Sequence, residues 1–175
     1  MAIREIVLYP DPVLLRPTAE VQEVDDEVRR LIEDMVDTMY AAPGIGLAAN
    51  QVGVSKRVCV IDLSVGDDQG ALKVLINPKI VECTGRQVGE EGCLSFPDVT
   101  LDVERAERVT VEALDTDGRP MTLTGEGLLA RVMLHEIEHL DGETFLRNVS
   151  SLKRNLVKRQ IQKRIHAGEW VAGPA

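Results

Sequence analysis

The chain has 175 residues, 20 of them basic and 29 acidic, for a formal net charge of −9. Such a length suits one domain with a real core, and 44% hydrophobic with 28% charged residues excludes wholesale disorder and a membrane-embedded chain. Net acidity and an aromatic set of two Phe, two Tyr and one Trp exclude a dedicated DNA- or RNA-binding protein, which needs a basic footprint and stacking surfaces.

Pro10, Pro12 and Pro17 deny the opening segment a regular helix and lay it over the surface. A helix follows, capped by Asp25 or Asp26, with Val28, Leu31, Ile32, Met35 and Met39 at three- and four-residue spacing. Pro43 and Gly44 stop it. Strands are expected over 57–63 and 72–81, separated by a turn at 66–70. The alternation over 108–114, turned back at Asp117-Gly118 towards 121–124, predicts a hairpin. A second helix is predicted over 125–140, ended by Gly142, and a third over 151–166 with a frayed tail at 167–175. The sum is a single α+β domain over 1–175: short mixed or antiparallel strands around a central helix, then a C-terminal helix.

That central helix carries His135-Glu136-Ile137-Glu138-His139. Residues four apart share a helical face, so both imidazoles reach one ion, and Glu136 between them is placed to take a proton from water. Leu128, Val132, His135 and His139 form one stripe, predicted to be the buried face. Two histidines leave such a site one protein ligand short. Phe145 stands where a metzincin has its third His, and residues 151–168 hold no acid to serve as a thermolysin-like ligand, so the third ligand comes from upstream. Of the three cysteines, Cys59 sits in an apolar strand and Cys83 ends one. Cys93, between Gly92 and the exit at Pro97, is the candidate, which assigns the metal to Cys93, His135, His139 and a water. No apolar signal core opens the chain, and no run reaches membrane-spanning length. A cytoplasmic protein with reduced thiols is expected, bacterial rather than organellar.

A further run, Gly44-Ile45-Gly46-Leu47-Ala48-Ala49-Asn50-Gln51, suits a turn that approaches a ligand closely, though a tight helix-to-strand turn explains its glycines equally well. Taken in order with Glu91-Gly92-Cys93-Leu94-Ser95 and the histidine motif, it resembles the peptide deformylases, and the segment from Pro10 to Pro17 extends the likeness over nearly the whole chain. The resemblance implies hydrolysis of the formyl group from N-terminal formylmethionine of nascent chains, releasing formate. It implies Fe2+ on Cys93, His135 and His139, with Zn2+, Ni2+ or Co2+ as substitutes, one ion per chain. Glu136 becomes the general base and acid, and the Gln51 amide and Leu94 N–H the donors to the oxyanion. Ile45, Leu128 and Val132 then either line a methionine pocket or pack in the core, and the substrate backbone pairs at Ile45-Gly46 and Gly92 as an added strand. Leu134 stands where many relatives carry Gln, and Thr100 where some carry Arg.

Two other readings compete: an HExxH metallopeptidase of another lineage, and a relative that binds ribosomes or peptides without turnover. The failed searches for a protease third ligand oppose the first, and the full set Gln51, Cys93, His135, Glu136 and His139 opposes the second. The charge itself is unevenly spread. Residues 152–166 hold six basic side chains and no acid, so the remainder carries −15. Val157, Ile161 and Ile165 give this last helix a docking stripe, and its basic face is either simply solvated or a contact for ribosomal RNA.

Overall fold

In a computed structural model that describes residues 2–172, the proline-rich opening does run over the surface, but it is tied down. Pro12–Leu15 forms a 3₁₀ turn that buries Leu14 completely, and Tyr9 N and Thr18 N donate to Ser95 O and Leu140 O at 3.0 and 2.9 Å. Helix α1 (Asp26–Ala41) starts where Asp25 accepts a hydrogen bond from Val28 N at 2.9 Å, and all five predicted apolar positions are buried.

Strand β1 (Gly46–Ala48), which has no clear pattern of its own, leads into a 3₁₀ turn at Ala49–Val52. Strand β2 (Val58–Ile61) is shorter than expected, and β3 (Lys73–Thr84) longer, because its exposed far half finds a partner in a later strand. The next two strands were not foreseen. Strands β4 (Gln87–Cys93) and β5 (Phe96–Arg105) form a hairpin that stands as its own two-stranded sheet. The predicted hairpin is β6 (Arg108–Leu114) and β7 (Pro120–Glu126). The larger sheet runs β1-β2-β3-β6-β7, and every strand pair in both sheets is antiparallel.

Helix α2 (Gly127–Leu140) packs on one face of that sheet and α1 on the other. Strand β2 divides its side chains between them: Val58 and Val60 meet the α1 core, while Cys59 and Ile61 meet Ala130, Met133 and Ile137. Gly142, at φ +79°, ends the run after α2, where a Cβ would fall 2.4 Å from the Arg16 carbonyl carbon. Only glycine lets the opening segment close there.

Helix α3 (Ser151–His166) matches its predicted bounds and docks Val157 and Ile161 on Phe96, Leu101 and Phe145. Ile165, expected in the same stripe, is exposed and lies outside that cluster. The predicted frayed tail is not free through Trp170, whose indole donates to Tyr9 O at 2.6 Å and packs edge-on against Phe96; positions 173–175 of that tail lie outside the described residues. Among the described residues no helix is long and apolar enough to cross a membrane.

Candidate metal centre and substrate cleft

One helical turn separates His135 and His139 on α2, which stacks their rings edge to face with centroids 4.9 Å apart. Cys93 reaches them from the other side as the last residue of β4, entering the two-residue turn Leu94-Ser95 before Phe96. Its Sγ lies 3.2 Å from His139 Nε2, and the three donor atoms lie within 4.8 Å of one another. Ligands about 2.0–2.3 Å from a tetrahedral ion stand about 3–4 Å apart, so a thiolate with two imidazoles at this spacing fits a divalent cation after small shifts. Burial above all pushes His139 well below the ordinary imidazole range, which keeps it a neutral ligand. The predicted metal set is brought together, and Cys59 and Cys83 stand apart from it, one buried in a sheet and one exposed.

Behind His135 lies a buried ionic network that the sequence did not announce. Glu91 Oε1 accepts from His135 Nδ1 at 2.8 Å, and the same carboxylate is clasped by Arg105 at 2.9 Å and by Arg131 at 2.6 Å. Arg105 also meets Glu138, the second acid of the helix motif, at 3.1 Å. Burial alone would raise the Glu91 pKa, yet the bonds from Arg105 and His135 outweigh it and bring it down to about 2. Glu91 is therefore a fixed anion that orients the imidazole.

Glu136 has the opposite environment. It is buried, its Oε2 has no hydrogen-bond partner, and burial pushes its pKa up to about 7. Gly46 faces it so closely that a Cβ there would stand 2.6 Å from Glu136 Oε1 and 2.9 Å from a Val132 methyl. The glycine thus makes room for the carboxylate, a physical reason the bare turn reading lacked. Gln51, buried in the 3₁₀ turn, accepts from Ala48 N at 2.9 Å through Oε1. That bond fixes the amide so that Nε2 points at Ser95 Oγ, 3.2 Å away, and at Cys93 Sγ, 3.6 Å away. Asn50 beside it, also unforeseen, donates to His139 O at 2.6 Å and ties this turn to the end of α2.

These groups floor a cleft of about 410 Å³ between β1, β4 and α2. Ile45, Gly46, Gln51, Gly92, Cys93, Leu94, Leu128, Val132, His135 and Glu136 all line it, while His139 lies deeper. Leu128 does not continue the buried face as expected. It is 53% exposed, because α2 has just left the sheet there and the residue stands at the mouth of the cleft. Val132 is buried and meets both the cleft and the core.

Residues 3–155 match the family model described as polypeptide deformylase. A peptide deformylase of Acidobacterium capsulatum is 54% identical over 97% of this chain and its own full length. The crystal structure of a peptide deformylase from Legionella pneumophila superposes with a TM-score of 0.87 at 46% identity, covering 95% of this chain and 98% of that one. One from Ehrlichia chaffeensis, in complex with actinonin, gives 0.85 at 37% identity, covering 94% and 98%. The likeness spans both sheets and all three helices, and it leaves no room for a protease of another lineage. The chain belongs to the polypeptide deformylase family, metal-dependent hydrolases that take the formyl group from the N-terminus of newly made proteins.

Proposed function

We propose that the chain works with a ferrous ion on Cys93, His135 and His139, and that Glu136, Gln51 and Leu94 carry the reaction. The observation that carries this reading is the unpartnered, buried carboxylate of Glu136 beside the Cys-His-His cluster on the cleft floor. When bound, the cation supplies Lewis acidity, acidifying water and polarising the formyl carbonyl. The donor set serves zinc, nickel or cobalt as well; the family resemblance is what favours iron. Glu136 accepts the proton of the attacking water and passes it to the leaving amine as formate departs. The Gln51 Nε2–H and the Leu94 backbone N–H donate to the oxyanion, each contributing about 3 kcal/mol of barrier lowering.

The methionine side chain enters the apolar part of the cleft between Ile45, Leu128 and Val132. Strand β1 is the edge of its sheet, and β4 pairs on one side alone, with β5. An extended nascent chain laid between them pairs with Ile45-Gly46 and Gly92 and joins the two sheets. The test is formate release from formyl-Met peptides by iron-loaded enzyme under anaerobic conditions. Formate without internal cleavage is expected; internal cleavage without formate overturns the assignment.

On this reading the protein meets its substrate near the ribosome, and its identity to bacterial deformylases supports a bacterial cytoplasmic location. Of the six basic side chains on α3, Arg154 turns back to Leu146 O and Arg164 to Pro97 O, leaving Lys153, Lys158, Arg159 and Lys163 exposed. Because Val157 and Ile161 cover Phe96, deleting the helix would strip the core beside the cleft. Changing the four exposed residues to Glu is the cleaner experiment. Ribosome affinity is expected to fall and its salt dependence to flatten, with turnover of short peptides unchanged. Parental ribosome binding by that variant would remove the RNA contact.

A further inference from the structure

Arg131 is a full positive charge at 5% exposure on the helix that bears both histidines. Its Nη1 donates to Glu91 Oε2 at 2.6 Å, Val103 O at 2.9 Å and Gly89 O at 3.2 Å, and its Nη2 reaches Gln87 Oε1 at 3.3 Å. One guanidinium thus pins three residues of β4 and one of β5 to α2. Gly89 is small for this reason, since a Cβ there would sit 3.1 Å from Arg131 Nη2.

Burying an arginine and a glutamate costs several kcal/mol per charge before their attraction returns any of it, and an apolar pair of similar volume often holds a fold as well. Stability alone is a weak account of the arrangement. Its geometry offers another. Arg131 occupies Glu91 Oε2, Arg105 bridges both Glu91 oxygens, and Oε1 is left to face His135 Nδ1 at 2.8 Å. Every direction of the carboxylate is taken, so its plane cannot rotate. With a cation at the cluster, the imidazole is then held in the tautomer whose Nδ1 carries the proton and donates to Glu91, which leaves the Nε2 lone pair for the ion shared with Cys93 and His139.

We propose that Arg131 is a positioning residue for the metal ligand His135, acting through Glu91, with Arg105 bracing the same carboxylate. Arg131 hydrogen-bonds none of the three donor atoms itself. The proposal rests on Cys93, His135 and His139 being the ligand set, and Cys93→Ala is the control for that assignment.

The experiment uses the full chain with Arg131→Met, which keeps the apolar stem, and Arg131→Lys, which keeps the charge but not the fork. Zinc affinity is measured by competition with a chelator, and ligand geometry by the visible spectrum of the cobalt-loaded protein. Arg131→Met is expected to weaken zinc binding by about 10–100-fold and to shift the cobalt bands, with Arg131→Lys recovering part of both. A purely structural role lowers the Tm of metal-free and metal-loaded protein equally and leaves zinc affinity and the cobalt spectrum at parental values; that result overturns the proposal. Should Arg131→Met fail to fold, Arg131→Lys decides by the same two readings, weaker zinc binding with shifted bands supporting it and parental values overturning it. If Cys93→Ala keeps parental zinc affinity, the ligand assignment itself has failed, an outcome distinct from failure of Arg131 alone.

Discussion

Glu136→Gln is expected to retain its metal and lose about 10³–10⁴-fold in kcat/KM on formyl-Met peptides. The variant keeps the shape and polarity of the side chain and removes only its ability to shuttle a proton. Loss of metal together with activity would instead make Glu136 a ligand. The pH profile gives a second reading of the same group. Burial raises its pKa from 4.5 to about 7 where no cation stands beside it, and a divalent cation nearby favours the carboxylate and draws that value down. A base must be ionised, so parental kcat/KM rises with pH through this pKa and levels above it. The acid limb of the loaded enzyme is expected below pH 7 and is absent from the residual activity of Glu136→Gln. Stability moves the opposite way. A carboxyl whose folded pKa is raised binds more protons in the folded state, so it costs stability as pH rises from 4.5 through 7, of the order of 3 kcal/mol for the metal-free protein. Metal-free Glu136→Gln is therefore expected to melt higher than the parent at pH 8, with no such gain at pH 4.

Cys93→Ala is expected to weaken zinc binding by about 10²–10³-fold and to reduce formate release to background. The thiolate is the one anionic donor of the set and the one supplied by the hairpin, so the two histidines left on α2 offer a weak, neutral pair. Metal content after dialysis and the metal-induced rise in Tm are the measurements. An alanine variant that keeps stoichiometric metal and its Tm rise would refute the ligand role of Cys93.

Much of the fold can be read in the chain because α1, α3 and the β6–β7 hairpin follow local rules: Asp25 and Ser150 as caps, an apolar stripe, a turn at Asp117-Gly118. The β4–β5 hairpin cannot. Gln87–Cys93 shows Val88, Glu90 and Gly92 to the outside and buries Glu91, so its buried position is a charge and no hydrophobic alternation marks it. The site divides along the same line. Cys93, His135, Glu136 and His139 are legible because their chemistry and spacing are local, or can be reached by eliminating other ligands. Arg105, Arg131 and Glu138 are not, since a charged residue reads as exposed until the partner that neutralises it, 14 to 40 positions away, is brought beside it. Leu128 fails for a simpler reason. A helical stripe says which face a residue shares and not what that face meets, and at Leu128 it opens on the cleft.

The hairpin that carries Cys93 is hydrogen-bonded as a strand pair only to itself, while both histidines belong to the helix packed on the larger sheet. An ion shared between residues 93 and 135 is then a crosslink that closes a loop of some forty residues. Because the unfolded chain holds no preformed site, the free energy of binding the ion adds directly to the stability of the fold, by fastening the hairpin to the helix. A cation bound by this cluster would in that sense also be a clasp between the two sheets.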